Sequence, residues 1–113
     1  MIEVRRTAEF ARWLDALTDA VARAAILVRL DRLALGNPGD VRPIGEGVSE
    51  LRIDVGPGYR AYYMRVGAVA LLVLVGGDKR TQDRDIQRAL RMSRELRAKT
   101  KTVAKAKKVR KPK

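Results

Sequence analysis

The stretch RIDVGPGYRAYYMRV, residues 52–66, decides how the rest of the chain is read. Two alternating runs flank Gly56-Pro57-Gly58, which has the composition of a tight turn, so the stretch predicts a β-hairpin. With those three residues as the loop, Val55 falls opposite Tyr59, Asp54 opposite Arg60, Ile53 opposite Ala61, Arg52 opposite Tyr62 and Leu51 opposite Tyr63. Side chains on a strand alternate between faces. One face is then Leu51, Ile53, Val55, Tyr59, Ala61 and Tyr63, fit to be covered by helices. The other is Glu50, Arg52, Asp54, Arg60, Tyr62 and Met64. That second face has two readings. It is either a solvated surface with a weak Asp54–Arg60 cross-strand ion pair, or an anion-binding one. In the second case Arg52 and Arg60 supply forks for phosphate oxygens and Tyr62 a platform for a base.

The neighbouring segments extend the sheet. VSELRIDV, residues 48–55, alternates cleanly and forms the first arm of the hairpin. AVALLVLV, residues 68–75, is apolar throughout and predicts a strand buried on both sides. DVRPIGEG, residues 40–47, carries a proline and two glycines and predicts a loop or a poor edge strand. At the amino end MIEVRR alternates as a short strand. Thr7 is placed to cap a helix in which Phe10, Trp13, Leu14 and Leu17 form one stripe. A second helix is expected over about residues 20–35, with Val21, Ala25 and Val28 on one side and Ile26, Leu30 and Leu33 beside them. Gly36 is its C-cap, and Asn37-Pro38-Gly39 ends it.

After the apolar strand, GGDKRTQ, residues 76–82, predicts a glycine turn into a last helix. That helix starts at Thr81 or Gln82, has Asp83 and Asp85 in its first turn, and turns Ile86, Ala89, Leu90, Ser93 and Leu96 inward. Lys79, Arg80 and Gln82 project near the helix N-terminus, where anions are favoured. The Gly-x₄-Gly-Lys spacing of a P-loop is absent. The resulting order, β-α-α-(β)-β-β-β-α, predicts an α+β fold. A small antiparallel sheet carries an N-terminal helical hairpin on one face, with a C-terminal helix added.

The chain has 113 residues, the size of one domain, with 46% hydrophobic residues. It has no Cys and no His. Disulfides and thiolate metal sites are thereby excluded, and the commonest neutral-pH proton shuttle and metal ligand is missing. No cofactor is expected. The apolar runs fall short of the roughly 18 residues that span a bilayer, and the amino end lacks a signal-peptide stretch, so a cytoplasmic protein without membrane contact is expected. The net charge is +12. Residues 97–113, RAKTKTVAKAKKVRKPK, hold nine Lys or Arg and no acid, which leaves 16 basic against 13 acidic residues in 1–96. The expected organisation is a folded, mildly basic domain over 1–96 followed by a disordered basic tail over 97–113.

The strand–helix–helix–sheet order, with ELRID and GPGYRAYY followed by GGDKRTQDRDIQRA, resembles the RelE/ParE superfamily of type II toxins. The similarity is greatest to its HigB-like branch of addiction module killer proteins, and it covers about residues 1–96. The resemblance implies a RelE-like fold and a metal-independent endoribonuclease that cleaves mRNA, commonly on the ribosome. It also implies neutralisation by a helix-turn-helix antitoxin, through which the pair binds operator DNA. By the same resemblance Arg60, Arg52 and Lys79 are the catalytic residues, with Arg80 an alternative to Lys79. Glu50 stands where RelE carries one of a pair of lysines. Tyr62, Arg80 and Gln82 are expected to bind substrate, and Glu50 and Asp54 are further proton acceptors on the same face. Within the superfamily the alternative is a ParE-like inhibitor of DNA gyrase. Outside catalysis it is a toxin-derived binding module acting as co-repressor with its antitoxin.

Overall fold

The computed structural model describes the backbone of residues 1–110 and the side chains of residues 1–99. The fold is α+β. Its strands are β1 (Glu3–Arg6), β2 (Val41–Gly45), β3 (Val48–Ile53), β4 (Tyr59–Val66) and β5 (Ala70–Asp78), and its helices are α1 (Ala8–Asp15), α2 (Ala20–Ala34) and α3 (Gln82–Arg110). The five strands form one sheet in the order β1-β5-β4-β3-β2. The β2–β3, β3–β4 and β4–β5 pairs are antiparallel, whereas β1 lies parallel to β5. That single parallel contact requires a crossover, and the helical hairpin supplies the start of it. The poor edge strand over residues 40–47 is indeed an edge, β2, with Pro43 and a register irregularity that blunt it against further pairing.

The capping reading of Thr7 holds at α1, and Asp19 caps α2 in the same way. Thr7 accepts from the Phe10 N–H at 3.0 Å, and Asp19 accepts from Val21 and Ala22. Gly36 ends α2 with φ +82°, a conformation L side chains resist. On α2 the inward set is Ala22, Ile26, Leu30 and Leu33. Val21 and Val28, expected to share in packing, are exposed at 73% and 46%. The helix is apolar on more than one side, so its sequence did not mark which side faces the sheet.

Two cores sandwich the sheet. On one face α1 and α2 cover Leu51, Ile53, Tyr59, Ala61, Leu71 and Val73. On the other, α3 lies over Val48, Tyr62, Met64, Leu74 and Val75 through Ala89, with Ile86, Leu90 and Leu96 packed beside them. The second hairpin face is therefore not an open surface: α3 closes most of it. Continuous helix runs through residues 97–110, the greater part of the segment for which disorder is expected. Alanine and lysine extend an existing helix readily because nucleation has already occurred. Residues 111–113 lie outside the described residues.

The hairpin register differs from the expected one by two residues. Ile53 pairs with Tyr59, Arg52 with Arg60, Leu51 with Ala61 and Glu50 with Tyr62. The loop is residues 54–58, closed by a Gly58 N–H to Val55 O bond of 3.1 Å, with Gly56 and Gly58 at positive φ. Because the shift is an even number, every side chain keeps its predicted face, but cross-strand partners change. Asp54 leaves the ladder, and the two guanidiniums come opposite each other.

A second irregularity lies between β4 and β5. Tyr62 pairs with Val75 and Tyr63 with Val73, so Leu74 is an extra residue on β5. Leu74 and Val75 both reach the α3 core. The alternation then resumes inverted, and the glycine pair lies within the strand rather than in a turn. A Cβ on Gly76 would stand 2.3 Å from Trp13 Cε3, and one on Gly77 would stand 1.8 Å from Asp85 Oδ2. These glycines admit an α1 indole from one face and an α3 carboxylate from the other. Gly76→Ala is expected to destabilise the domain by about 1–3 kcal/mol in urea unfolding through overpacking against Trp13. An unchanged unfolding midpoint contradicts the close approach.

Candidate functional site

Two like charges directly opposite each other on a ladder are unfavourable, and the chain holds Arg52 and Arg60 there with separate carboxylates. Arg52 binds Asp40 through Nε at 3.2 Å and Nη2 at 2.9 Å, an exposed contact that keeps its guanidinium charged. Asp40 is itself set by Arg29 of α2, which donates to the carbonyls of Arg52, Pro38 and Asp40. No sequence pattern marked that brace.

Arg60 is held from beneath. Its side chain is 12% exposed, and its Nε lies 3.5 Å from the carboxylate of Glu50, which is fully buried. Nη1 donates to Gly58 O at 2.9 Å. The Nε atom is sealed from solvent with no hydrogen bond, so the contact to Glu50 is electrostatic rather than a formed hydrogen bond.

Glu50 collects further donors. Tyr62 Oη donates to Oε2 at 2.9 Å, Gln82 Nε2 to the same oxygen at 2.9 Å, and Arg42 Nη2 to Oε1 at 3.1 Å. A buried carboxylate requires such partners. Burial, and then the bond to Glu50, raise the Tyr62 phenol well above its ordinary value, so it stays a protonated donor. Glu50 was legible only as a polar residue on the second face. The signal that it is buried comes from α3, which delivers Gln82 and closes over Tyr62.

Arg52, Arg60 and Lys79 line one shallow cavity of about 230 Å³, together with Asp40, Asp54 and Tyr59. Gly58, at φ +83°, adjoins this convergence: a Cβ there would lie 3.3 Å from Arg60 Nη1, a tight contact, and 3.8 Å from Lys79 Cβ, an ordinary one. Lys79 opens a short 3₁₀ turn, Lys79–Thr81, that is closed by an Asp78–Thr81 capping box. The other three expected residues lie elsewhere. Tyr62 is fully buried and has no face to offer a base. Gln82 is committed to Glu50. Arg80, exposed, folds back on Asp78 at 2.9 Å and lowers the Asp78 carboxyl below its usual range.

The architecture is thus that of a small α+β domain with a basic cavity at one end of its sheet. The chain belongs to the family described as phage derived protein Gp49-like (DUF891), whose model matches residues 12–94. An uncharacterized protein of Haemophilus influenzae is 43% identical over 95 residues, covering 84% of this chain and 96% of its own length. Among solved structures, a copper-bound mutant toxin from Helicobacter pylori aligns with a TM-score of 0.48 and 20% identity, over 70% of this chain and 96% of that one.

The two arginine–carboxylate pairs differ in environment, and their energetic weights should differ accordingly. Glu50→Ala strands the sealed Arg60 Nε and should cost about 3–5 kcal/mol in urea unfolding. Tyr62→Phe, which removes one donor, should cost about 1–3 kcal/mol. Asp40→Ala breaks a solvent-screened pair and should cost at most about 1 kcal/mol. Equal losses for Glu50→Ala and Asp40→Ala contradict the assignment of Glu50 as the internal anchor.

Proposed function

We propose that the protein is the toxin of a type II toxin–antitoxin pair and acts as a metal-independent endoribonuclease at the Arg52–Arg60–Lys79 cavity. The observation that carries this reading is the convergence of three cations from β3, β4 and the turn after β5 on one shallow depression. Its cost in like-charge repulsion is met by Glu50 and Asp40 rather than avoided. The resemblance to the RelE/ParE superfamily supports the same reading, with a HigB-like helix-turn-helix antitoxin as partner and mRNA, on the ribosome, as substrate.

In this reading the scissile phosphate rests between Arg60 and Arg52. As the 2′-oxygen attacks phosphorus, charge accumulates on the non-bridging oxygens, and fixed guanidiniums stabilise it without reorganising. Arg60 is the better placed of the two because Glu50 and Gly58 hold it rigid. Asp54, exposed in the same cavity, accepts the 2′-hydroxyl proton; Glu50, fully buried and hydrogen-bonded, is the anchor instead. The Lys79 ammonium donates a proton to the departing 5′-oxygen as the P–O5′ bond breaks. The products are a 2′,3′-cyclic phosphate and a free 5′-hydroxyl. Tyr62 and Gln82 act through Glu50 as positioning residues. The basic residues of 97–113 add a salt-dependent, sequence-independent attraction for the polyanion.

Expression without a partner should arrest growth with loss of mRNA, and Arg60→Ala should relieve both by at least about 100-fold in cleavage rate. End analysis of the fragments should find 2′,3′-cyclic phosphate. Growth arrest with intact transcripts and a DNA-damage response favours gyrase inhibition, and absence of arrest favours the co-repressor reading. Either result overturns the ribonuclease assignment.

A further inference from the structure

A second depression, of about 370 Å³, lies where α1, β5 and α3 meet. It arises from the topology. Strand β1 pairs with β5 only from Ala70 to Val73, and the chain then leaves the edge, with Thr7 N–H on Val73 O and Thr7 Oγ1 on Leu74 O. From Val75 onward, no strand among the described residues pairs with β5 on that side. Trp13 of α1 and the α3 residues Arg84, Arg88 and Arg91 flank this free edge, with Val75 and Gly76 in its floor.

The charges of the groove distinguish between kinds of occupant. Arg88 is matched by Glu9 at 2.8 Å, and Arg84 lies 3.5 Å from Asp85, whose other oxygen accepts from Thr81 at 2.5 Å. The Arg91 side chain has no ion pair or hydrogen bond among the described residues. Three guanidiniums therefore face two carboxylates, leaving one unmatched fork. A polyanion gains little from cations already neutralised. An extended peptide gains main-chain bonds from an unpaired strand edge, an apolar wall, and one bidentate arginine contact for a single carboxylate.

We propose that this groove docks an extended, carboxylate-bearing segment of a protein partner, which adds a strand along β5 where β1 stops and places its acidic side chain on Arg91. The site is separate from the Arg52–Arg60–Lys79 cavity, and the proposal does not depend on ribonuclease activity. Its apolar side chains meet Val75 and the edge of Trp13, which Gly76 allows to sit against the strand.

Trp13 is the chain's single tryptophan, so its indole signal is unambiguous, and the Gly76 amide beside it in the groove localises the shift. A displayed library of eight-residue peptides should be selected on the full chain and counter-selected on Arg91→Glu, an exposed substitution whose fold is checked by circular dichroism. The expected consensus alternates β-branched or aromatic residues with Asp or Glu at one fixed position. A selected peptide should shift the Trp13 indole and the Gly76 amide in NMR spectra and bind Arg91→Glu at least tenfold more weakly. Replacing its acid by Lys should restore binding to that variant. No enrichment, a consensus without a carboxylate, or indifference to Arg91→Glu overturns the proposal. So does a short single-stranded RNA that moves Trp13 and Gly76 where the peptides do not, which assigns the groove to polyanions.

Discussion

The Glu50 carboxylate is the point on which the arrangement of this sheet depends. It carries a charge into a fully buried position on β3, and water cannot compensate it there. Its partners come from β2 (Arg42), β4 (Arg60 and Tyr62) and the start of α3 (Gln82). One side chain thereby fixes the lateral relation of three strands and the seating of the last helix. The same contact holds the Arg60 guanidinium in place beside Arg52, an arrangement that the hairpin alone would oppose.

The extra residue at Leu74 has a comparable reach along β5. Without it, the residues at 75, 76 and 77 would face the opposite sides. Gly76 would then meet α3, and Gly77 would meet α1. With it, Trp13 closes on Gly76 and Asp85 on Gly77, so α1 and α3 grip the same short length of strand from both faces. The Phe10 and Tyr59 rings pack around Trp13 at 5.6 and 6.1 Å and extend that grip into the main core. The register irregularity is thus tied to the end of the sheet where both depressions lie.

Covering the second face with α3 confines solvent-facing chemistry to the margin of the sheet. Tyr62 and Met64, which alternation assigns to the same face as Arg60, are core residues, whereas Arg52, Arg60 and Lys79 escape because α3 begins only at Gln82. The capped 3₁₀ turn before it sets Lys79 at the rim. A single face of one hairpin is therefore structural at one end and chemical at the other.

Much of this was legible in the sequence. Alternation assigned each hairpin residue to its face, and Thr7, Gly36 and the loop residues marked element ends. Those readings succeed because they rest on local rules: pleat parity, capping chemistry and the conformational range of glycine. Arg52, Arg60 and Lys79 were singled out by resemblance, and the structure sets them around one depression. The burial of Glu50 and Tyr62, the two-residue register shift, the function of the glycine pair as clearance for Trp13 and Asp85, and the Asp40–Arg29 brace were settled only in three dimensions. Each depends on a partner far away in the chain, and whether a polar side chain meets water or a helix is decided by what packs over it, which no local pattern encodes.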